Sequence, residues 1–368
     1  MAGYDLLVIG GGLVGGAIAW GAARLGASVA LLDEGDVAHR AARGNFGLVW
    51  VQGKGEGMPA YAQWTRRSAA LWPALQAALY ESTGIDAALR QQGGLMFCLS
   101  EAELERCASR MHRMHNESGD IGTRLLSREE VHRMVPGLGD GVLGASFCPR
   151  DGLANPLTTL RGLHDGLARA GGDYLPGRGV ERIVPRAQGF VVHSDAETFA
   201  AGRVVIAAGL GSRRLAPMVG LAMPVEPLRG QIIVTERLQP FLNFATHTLR
   251  QTAEGSVMAG DSHEAAGFDN GVTVPVLHHI AARAVRVFPA LAQARMVRAW
   301  GALRVMTPDG FPIYEQSERH PGAFAATCHS GVTLAGAHAL ALAPAILEGR
   351  LPADFNAFSS RRLHVRAH

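Results

Sequence analysis

Residues 6–9, Leu6-Leu7-Val8-Ile9, form a short and wholly apolar run, the pattern of a strand buried on both faces. Gly10-Gly11-Gly12-Leu13-Val14-Gly15 follows at once. Ala17, Ile18, Ala22 and Leu25 then recur at helical spacing, and Gly26 supplies a stop. Residues 29–32 predict a second strand with Asp33 at its end. The pattern changes over 59–80 to a long amphipathic helix, with Tyr61, Trp64, Ser68, Leu71, Leu75 and Leu79 on one core-facing stripe. Residues 93–99 predict a strand and 101–116 a polar helix with a solvated face. Ser127-Arg128-Glu129-Glu130 is a capping box opening a short helix that ends before Pro136. Asn155-Pro156 caps a helix over 157–170. Strands at 180–184, 190–193 and 203–207 come next, the last running into Ala208-Gly209. Residues 224–235 and 256–260 predict strands of a different, antiparallel sheet. Trp300-Gly301-Ala302-Leu303-Arg304 leads to a turn at Thr307-Pro308-Asp309-Gly310. A last apolar strand at 324–327 passes through His329-Ser330-Gly331 into an Ala-rich helix ending near Gly349, and the basic tail after Asn356 is expected to fray.

Composition narrows the reading. The chain has 368 residues, too many for one ordinary core, so two domains of unequal kind are expected. A formal net charge of +3, with acids and bases mixed and no basic run among aromatics, argues against nucleic acid. The 15 histidines show no metal-ligand spacing, so no metal is expected. Cys98, Cys107, Cys148 and Cys328 form no C-x-x-C pair, and residues 1–5 carry no positive leader; reduced thiols in a cytoplasmic protein are the expectation. Two apolar stretches, 6–23 and 331–347, are dense in Gly and Ala and read as buried elements rather than membrane spans.

The first strand, the G-x-G-x-x-G run, the helix and Asp33 make a dinucleotide-binding layout. Gly10 permits a tight turn, Gly12 lets a diphosphate approach the backbone, and Gly15 lets the helix lie close on the strand. The helix start offers N–H donors and the positive end of the dipole, and Asp33 can accept from ribose hydroxyls. The motif alone does not separate FAD from NAD; its position at the head of the chain favours FAD. The loop over 39–57, centred on Arg43-Gly44-Asn45-Phe46-Gly47-Leu48-Val49-Trp50, suits close passage past a ring system.

Taken together, these segments resemble the D-amino acid oxidase superfamily of flavoproteins, in its glycine oxidase and sarcosine oxidase branch. The resemblance covers nearly the whole chain. It rests on the N-terminal glycine motif with Asp33, the 180–207 meander closing in Ala208-Gly209, Arg229-Gly230-Gln231, the 301–312 segment and the 329–334 segment. The run RGNFGLVWVQGKG at 43–55 looks closest to the FAD-bearing subunits of opine oxidases, hydrogen cyanide synthase and D-hydroxyproline dehydrogenase. The resemblance implies an α/β plus α+β architecture, a Rossmann-like FAD-binding domain (1–85, 146–222 and 301–368) interleaved with an antiparallel-sheet substrate domain (86–145 and 223–300). It implies non-covalent FAD held by Gly10, Gly12, Leu13, Val14, Gly15, Asp33, Glu34, Ala208 and Gly209, with Val180 presenting backbone to the adenine. Arg43, Gly44, Asn45, Phe46 and Gly47 would pass the flavin ring, and Gly331, Val332, Thr333 and Leu334 would offer backbone N–H groups to it at a helix start.

The implied reaction removes hydride from the carbon beside an amine, giving an imine that water hydrolyses. Such chemistry needs the substrate held in place, and an arginine suits a carboxylate because its planar fork pairs bidentately. Arg304 stands where the family carries its substrate-binding arginine; Arg250 and His329 are further candidates, His329 for the substrate or the flavin. Where relatives often have Arg-Pro, this chain has Arg304-Val305-Met306, and no aromatic cage residue stands beside it, so D-proline-like amines, opines, sarcosine and glycine all remain compatible. Two alternatives stay open: an NAD-linked flavoprotein, and an FAD-bearing subunit that passes electrons to partner subunits of a dehydrogenase complex.

Overall fold

The structure is a computed structural model, and it describes residues 3–35 and 41–363. Strand β1 (Gly3–Ile9), helix α1 (Leu13–Ala23) and strand β2 (Val29–Asp33) open the fold as the apolar pattern predicts. The two strands lie in an eight-stranded sheet ordered Ile313–Gln316, Ala323–Thr327, Thr198–Ile206, β1, β2, Asp173–Pro176, with the antiparallel strands Phe190–Ser194 and Val180–Pro185 leading off Thr198–Ile206. The contacts from Ala323–Thr327 across to Asp173–Pro176 are parallel, and Ile313–Gln316 closes the edge antiparallel.

The alternation of β1 explains why the run at 6–9 is apolar throughout. Side chains in a strand point to opposite faces in turn. Leu6 and Val8 pack with α1 and the helices Pro59–Thr83, Pro156–Arg169 and Gly331–Ala337 on one side. Leu7 and Ile9 pack with Phe190, Val192 and Phe199 of the meander on the other. Both layers exclude water, so residues 6–9 leave no position for a polar side chain, while Tyr4 and Asp5 stand at the open start of the strand.

A second sheet is antiparallel and runs Leu249–Gln251, Ser256–Ala259, Glu226–Arg237, Met296–Met306. A third joins Ala245–Thr246, Gly94–Cys98, Gly144–Cys148 and Arg124–Ser127. Leu95, Phe97, Ile233, Leu249 and Val257 share one core with Ile280, Ala284 and Val287 of the helix Val274–Val287. That helix, with Asp173–Pro176 and Ile313–Gln316, goes beyond the sequence reading. The strands Gly144–Cys148 and Met296–Met306 run across the expected domain boundaries at 145/146 and 300/301.

Most local signals are met. Asn155 caps its helix through Leu157 N and Thr158 N, and the Ser127–Glu130 capping box is complete. One expectation needs correction. The tail is not frayed through Leu363: Phe355 and Phe358 are buried, and Arg362 forms an ion pair with Asp309. Apolar burial and a paired guanidinium fix it; residues 364–368 lie outside the described residues. The C-terminal helix ends at a Gly349 cap as expected, and it carries a widened turn within it. It passes from Gly331–Ala337 through a π-helical turn, His338–Leu342, into Ala343–Glu348. Pro344 lacks an N–H and crowds the carbonyl one turn back, and the widened turn lies immediately before it. This helix is the one described element long and apolar enough to cross a membrane, but 72% of its apolar window is buried inside the protein, as in a core helix.

Candidate active site

The carboxyl ends of the parallel strands open on a cavity of about 1420 Å³. Gly10, Gly12, Leu13, Val14, Asp33, Glu34, Val180, Ala208, Gly209 and Gly331 all line it, as do Asn45 and His329. A Cβ on Gly12 would meet no atom within 4 Å and would project into open space, where a bound group can lie against the backbone. Gly10 has φ +109°, and a Cβ there would meet the Ala207 carbonyl oxygen at 2.4 Å. Gly15 does not line the cavity: it lets α1 close onto the turn, since its Cβ would fall 1.9 Å from the Gly10 oxygen. Helix α1 starts with no side-chain cap and no acid in its first turn, so its N-terminal amides are left for a ligand.

Asp33 is 7% exposed; its Oδ2 accepts from Gly11 N at 2.6 Å and its Oδ1 from Gly35 N at 2.8 Å. Those two bonds hold the carboxylate at the cavity wall. Arg178 and Arg214 were not foreseen. Arg178 is held by Glu197 at 2.6 Å, and Arg214 by the Val180 carbonyl at 2.7 Å, both on the same wall. These features fit the diphosphate and ribose of a dinucleotide: open backbone, a helix start, an oriented carboxylate and basic side chains.

A second cavity of about 1490 Å³ meets the first at Ala41, Asn45 and His329. It is lined by Gly44, Phe46, Arg304, Val332 and Thr333, and also by Lys54, Gln52, Arg110, Asp261 and His263, which the sequence reading passed over. Arg304 stands on Met296–Met306, where its guanidinium pairs with Asp261 and donates to the Ser262 carbonyl at 2.7 Å. Gly230 on the neighbouring strand leaves room for it, because a Cβ there would meet the guanidinium at 2.4 Å. His329 is driven well below its ordinary pKa by burial and by Lys54 and Arg304 nearby, so its ring is neutral. Thr333 Oγ1 accepts from Trp50 N at 3.1 Å and donates to the Leu48 carbonyl at 3.0 Å, tying the helix start to the 48–50 segment. Leu334 N bonds to the Ser330 carbonyl at 3.0 Å, so its amide is spent within the helix, while those of Gly331, Val332 and Thr333 begin it.

The loop over 43–47 divides the space further. A third cavity, about 1330 Å³, holds Arg43, Gly44, Asn45, Arg250, Arg298 and Trp300. Arg250 is thus not brought together with Arg304 and His329: its Nη1 donates to the Phe46 carbonyl at 2.6 Å and the Ala154 carbonyl at 3.2 Å. Gly47, with φ +89°, leaves room for that guanidinium, which a Cβ would meet at 2.0 Å. Residues 39–40 of the expected loop lie outside the described residues. A signal for Lys54 existed in the sequence, a base between two glycines in an otherwise uncharged run from Gly44 to Gly55. Asp261 and His263 carried none, because only the packing of the sheets brings them to Arg304.

Comparison with known proteins agrees with this geometry. The chain is 44% identical over 364 residues to an opine oxidase subunit of Rhizobium meliloti, covering 98% of each chain. It is 28% identical to glycine oxidase of Geobacillus kaustophilus, covering 98% of this chain and 97% of that one. The crystal structure of glycine oxidase from Geobacillus kaustophilus superposes with a TM-score of 0.86 at 26% identity, covering 96% of each chain. A family model described as FAD dependent oxidoreductase matches residues 5–345. With a dinucleotide cradle at the strand ends and an arginine-bearing chamber joined to it, the chain belongs to the DAO family of FAD-dependent oxidoreductases, enzymes of the amine and amino acid oxidase type.

Proposed function

We propose that the substrate is a small carboxylate-bearing amino acid or secondary amine, of the D-amino acid, hydroxyproline or opine kind. The observation that carries this is the continuity of the two cavities at Asn45 and His329, with Arg304 in the chamber beyond the cradle. Bound FAD, held without a covalent link, supplies the acceptor for the hydride leaving the carbon beside the substrate nitrogen. The chain itself binds, orients and excludes water. Arg304, fixed by Asp261 and the Ser262 carbonyl, presents the rest of its fork to the substrate carboxylate. Neutral His329 at the junction of the cavities offers a hydrogen bond without adding charge. The amides of Gly331, Val332 and Thr333, at the start of a helix, would offer N–H donors and the positive end of the helix dipole to the flavin. We place Gly10, Gly12, Leu13, Val14, Asp33 and Glu34 at the diphosphate and ribose, and Val180, Ala208 and Gly209 at the adenosine.

The FAD domain is then built on 1–85, 146–222 and 301–368, and the substrate domain on 86–145 and 223–300, with the strands Gly144–Cys148 and Met296–Met306 passing from one to the other. The similarity to one subunit of an opine oxidase supports a chain that works beside partner subunits. Four buried free thiols support a reducing, cytoplasmic setting.

The test is direct. The purified protein is expected to be yellow, and its absorbance near 450 nm to bleach anaerobically with one or more of sarcosine, D-proline and N-(1-carboxyethyl)alanine. Bleaching by none of a wide amine panel would overturn the reading. Dye reduction without peroxide on reoxidation would identify a dehydrogenase, and peroxide an oxidase.

A further inference from the structure

Of the 35 lysine and arginine residues in this chain, 34 are arginine; the single lysine is Lys54. It lies in the chamber with Arg304. The other cations there are matched by acids: Arg304 pairs with Asp261, and Arg110 with Glu56 at 3.2 Å. Lys54 forms no such pair among the described residues. Its Nζ stands 3.5 Å from His329 Nδ1, at the passage into the dinucleotide cavity.

The backbone beneath Lys54 is fixed. Lys54 N donates to the Val51 carbonyl at 3.1 Å, closing a turn. The buried Asp151 carboxylate accepts from Val51 N at 2.5 Å and from Gln52 Nε2 at 2.6 Å. On the other side Gly55 fits against the backbone of Ala62, which a Cβ would meet at 2.3 Å. A side chain on such a support is held ready rather than swinging through solvent.

We propose that Lys54 is a catalytic residue that takes the proton from the substrate's ammonium nitrogen. The proposal rests on the amine-oxidation reading above. An ammonium has no lone pair to assist departure of hydride from the adjacent carbon. Neutral Lys54 removes the obstacle: one N–H bond of the substrate breaks, one Nζ–H bond forms, and the positive charge moves from substrate to Lys54. The two-electron oxidation follows at the carbon, with bound FAD as oxidant, and the proton leaves Lys54 for solvent before the next cycle. Arginine could not serve, because it does not give up its proton in this pH range.

The electrostatics agree. Burial pulls the Lys54 pKa down to about 8. The groups facing it are the Cys328 thiol, Arg304, Asp261 and Asp151, with His329 in contact. Arg304 acts in the same direction as burial, and the acids oppose it. A base poised near working pH is the arrangement that proton transfer favours.

Two measurements test this on the FAD-loaded protein. In anaerobic stopped-flow with an amine that bleaches the wild type, the limiting rate of flavin reduction should rise with pH through about 8. Lys54→Met and Lys54→Arg should each lower that rate by roughly 100-fold or more and remove the pH limb, while flavin content and melting temperature stay near wild type. Retention of rate and limb in Lys54→Met would overturn the proposal. So would a raised half-saturating concentration with rate and limb intact, which would make Lys54 a charge anchor. Independently, acetylation of Lys54 by acetic anhydride, read by peptide mass spectrometry, should reach half-reactivity near pH 8. Half-reactivity at the ordinary lysine value would overturn the proposal even if no substrate were found, whereas absence of bleaching by any amine counts against the function alone.

Discussion

At Gly15 the fold has no room for a side chain, since a Cβ would sit 1.9 Å from the Gly10 carbonyl oxygen of the glycine turn. Gly15→Ala must push α1 away from that turn. The expected outcome is a loss of about 1–3 kcal/mol in stability and a preparation with little bound flavin, read from thermal melting and from the visible absorbance. Arg304 makes a different prediction. Arg304→Lys keeps the charge but loses the planar fork, so a carboxylate substrate loses about 1.5–3 kcal/mol of charge-assisted hydrogen bonding, roughly 10- to 100-fold in kcat/KM. An anaerobic titration should show the loss as weaker half-saturation, with the flavin spectrum unchanged.

At the scale of elements, two histidines are built into packed segments as neutral rings. His338 begins the π-helical turn, where Tyr314 Oη and its Nε2 lie 2.7 Å apart, and burial lowers its pKa to about 3. His247 lies between the strands Ala245–Thr246 and Leu249–Gln251, and burial lowers it to about 4. Both folded values lie below the unfolded value of 6.5, so the unfolded chain binds more protons as pH falls. Stability is therefore full above pH 6.5 and falls through the window from 6.5 towards 4 and then 3. The slope is about 1.4 kcal/mol per pH unit for each ring. Urea midpoints at pH 7 and pH 5 should differ accordingly, and His338→Met should flatten the dependence. A midpoint that does not move between those pH values would show that the rings are not neutral in the fold.

Across the whole molecule, Arg250 is a seam between parts of the chain. It stands on the antiparallel sheet, and its guanidinium grips the carbonyls of Phe46 and Ala154, one in the 43–47 loop and the other just before the Asn155 cap. Burial, with no carboxylate paired to it among the described residues, lowers its pKa to about 10. Arg250→Met should strand two carbonyls and cost about 1–3 kcal/mol. It should also loosen the loop beside Gly44 and Asn45, which denaturant unfolding and hydrogen exchange over residues 43–47 would report. Unchanged exchange there would mean the loop is held by other contacts.

What the sequence determined by itself is everything that depends on neighbours along the chain. The apolar run at 6–9 of β1, the glycine turn, α1 and Asp33 are legible because strand, turn and helix each impose a local period or a special residue. The cap at Asn155 and the box at Ser127 are legible for the same reason. Tertiary structure alone decided which bases share a chamber. Arg250 and Arg304 look alike in sequence, yet the loop over 43–47 places them in separate cavities. Lys54 and His329 lie 275 positions apart and meet at 3.5 Å because the helix starting at Gly331 packs against the segment beginning at Leu48. Chain periodicity fixes which face of an element is buried; only the packing of faces against one another decides what each polar residue at their edges will touch.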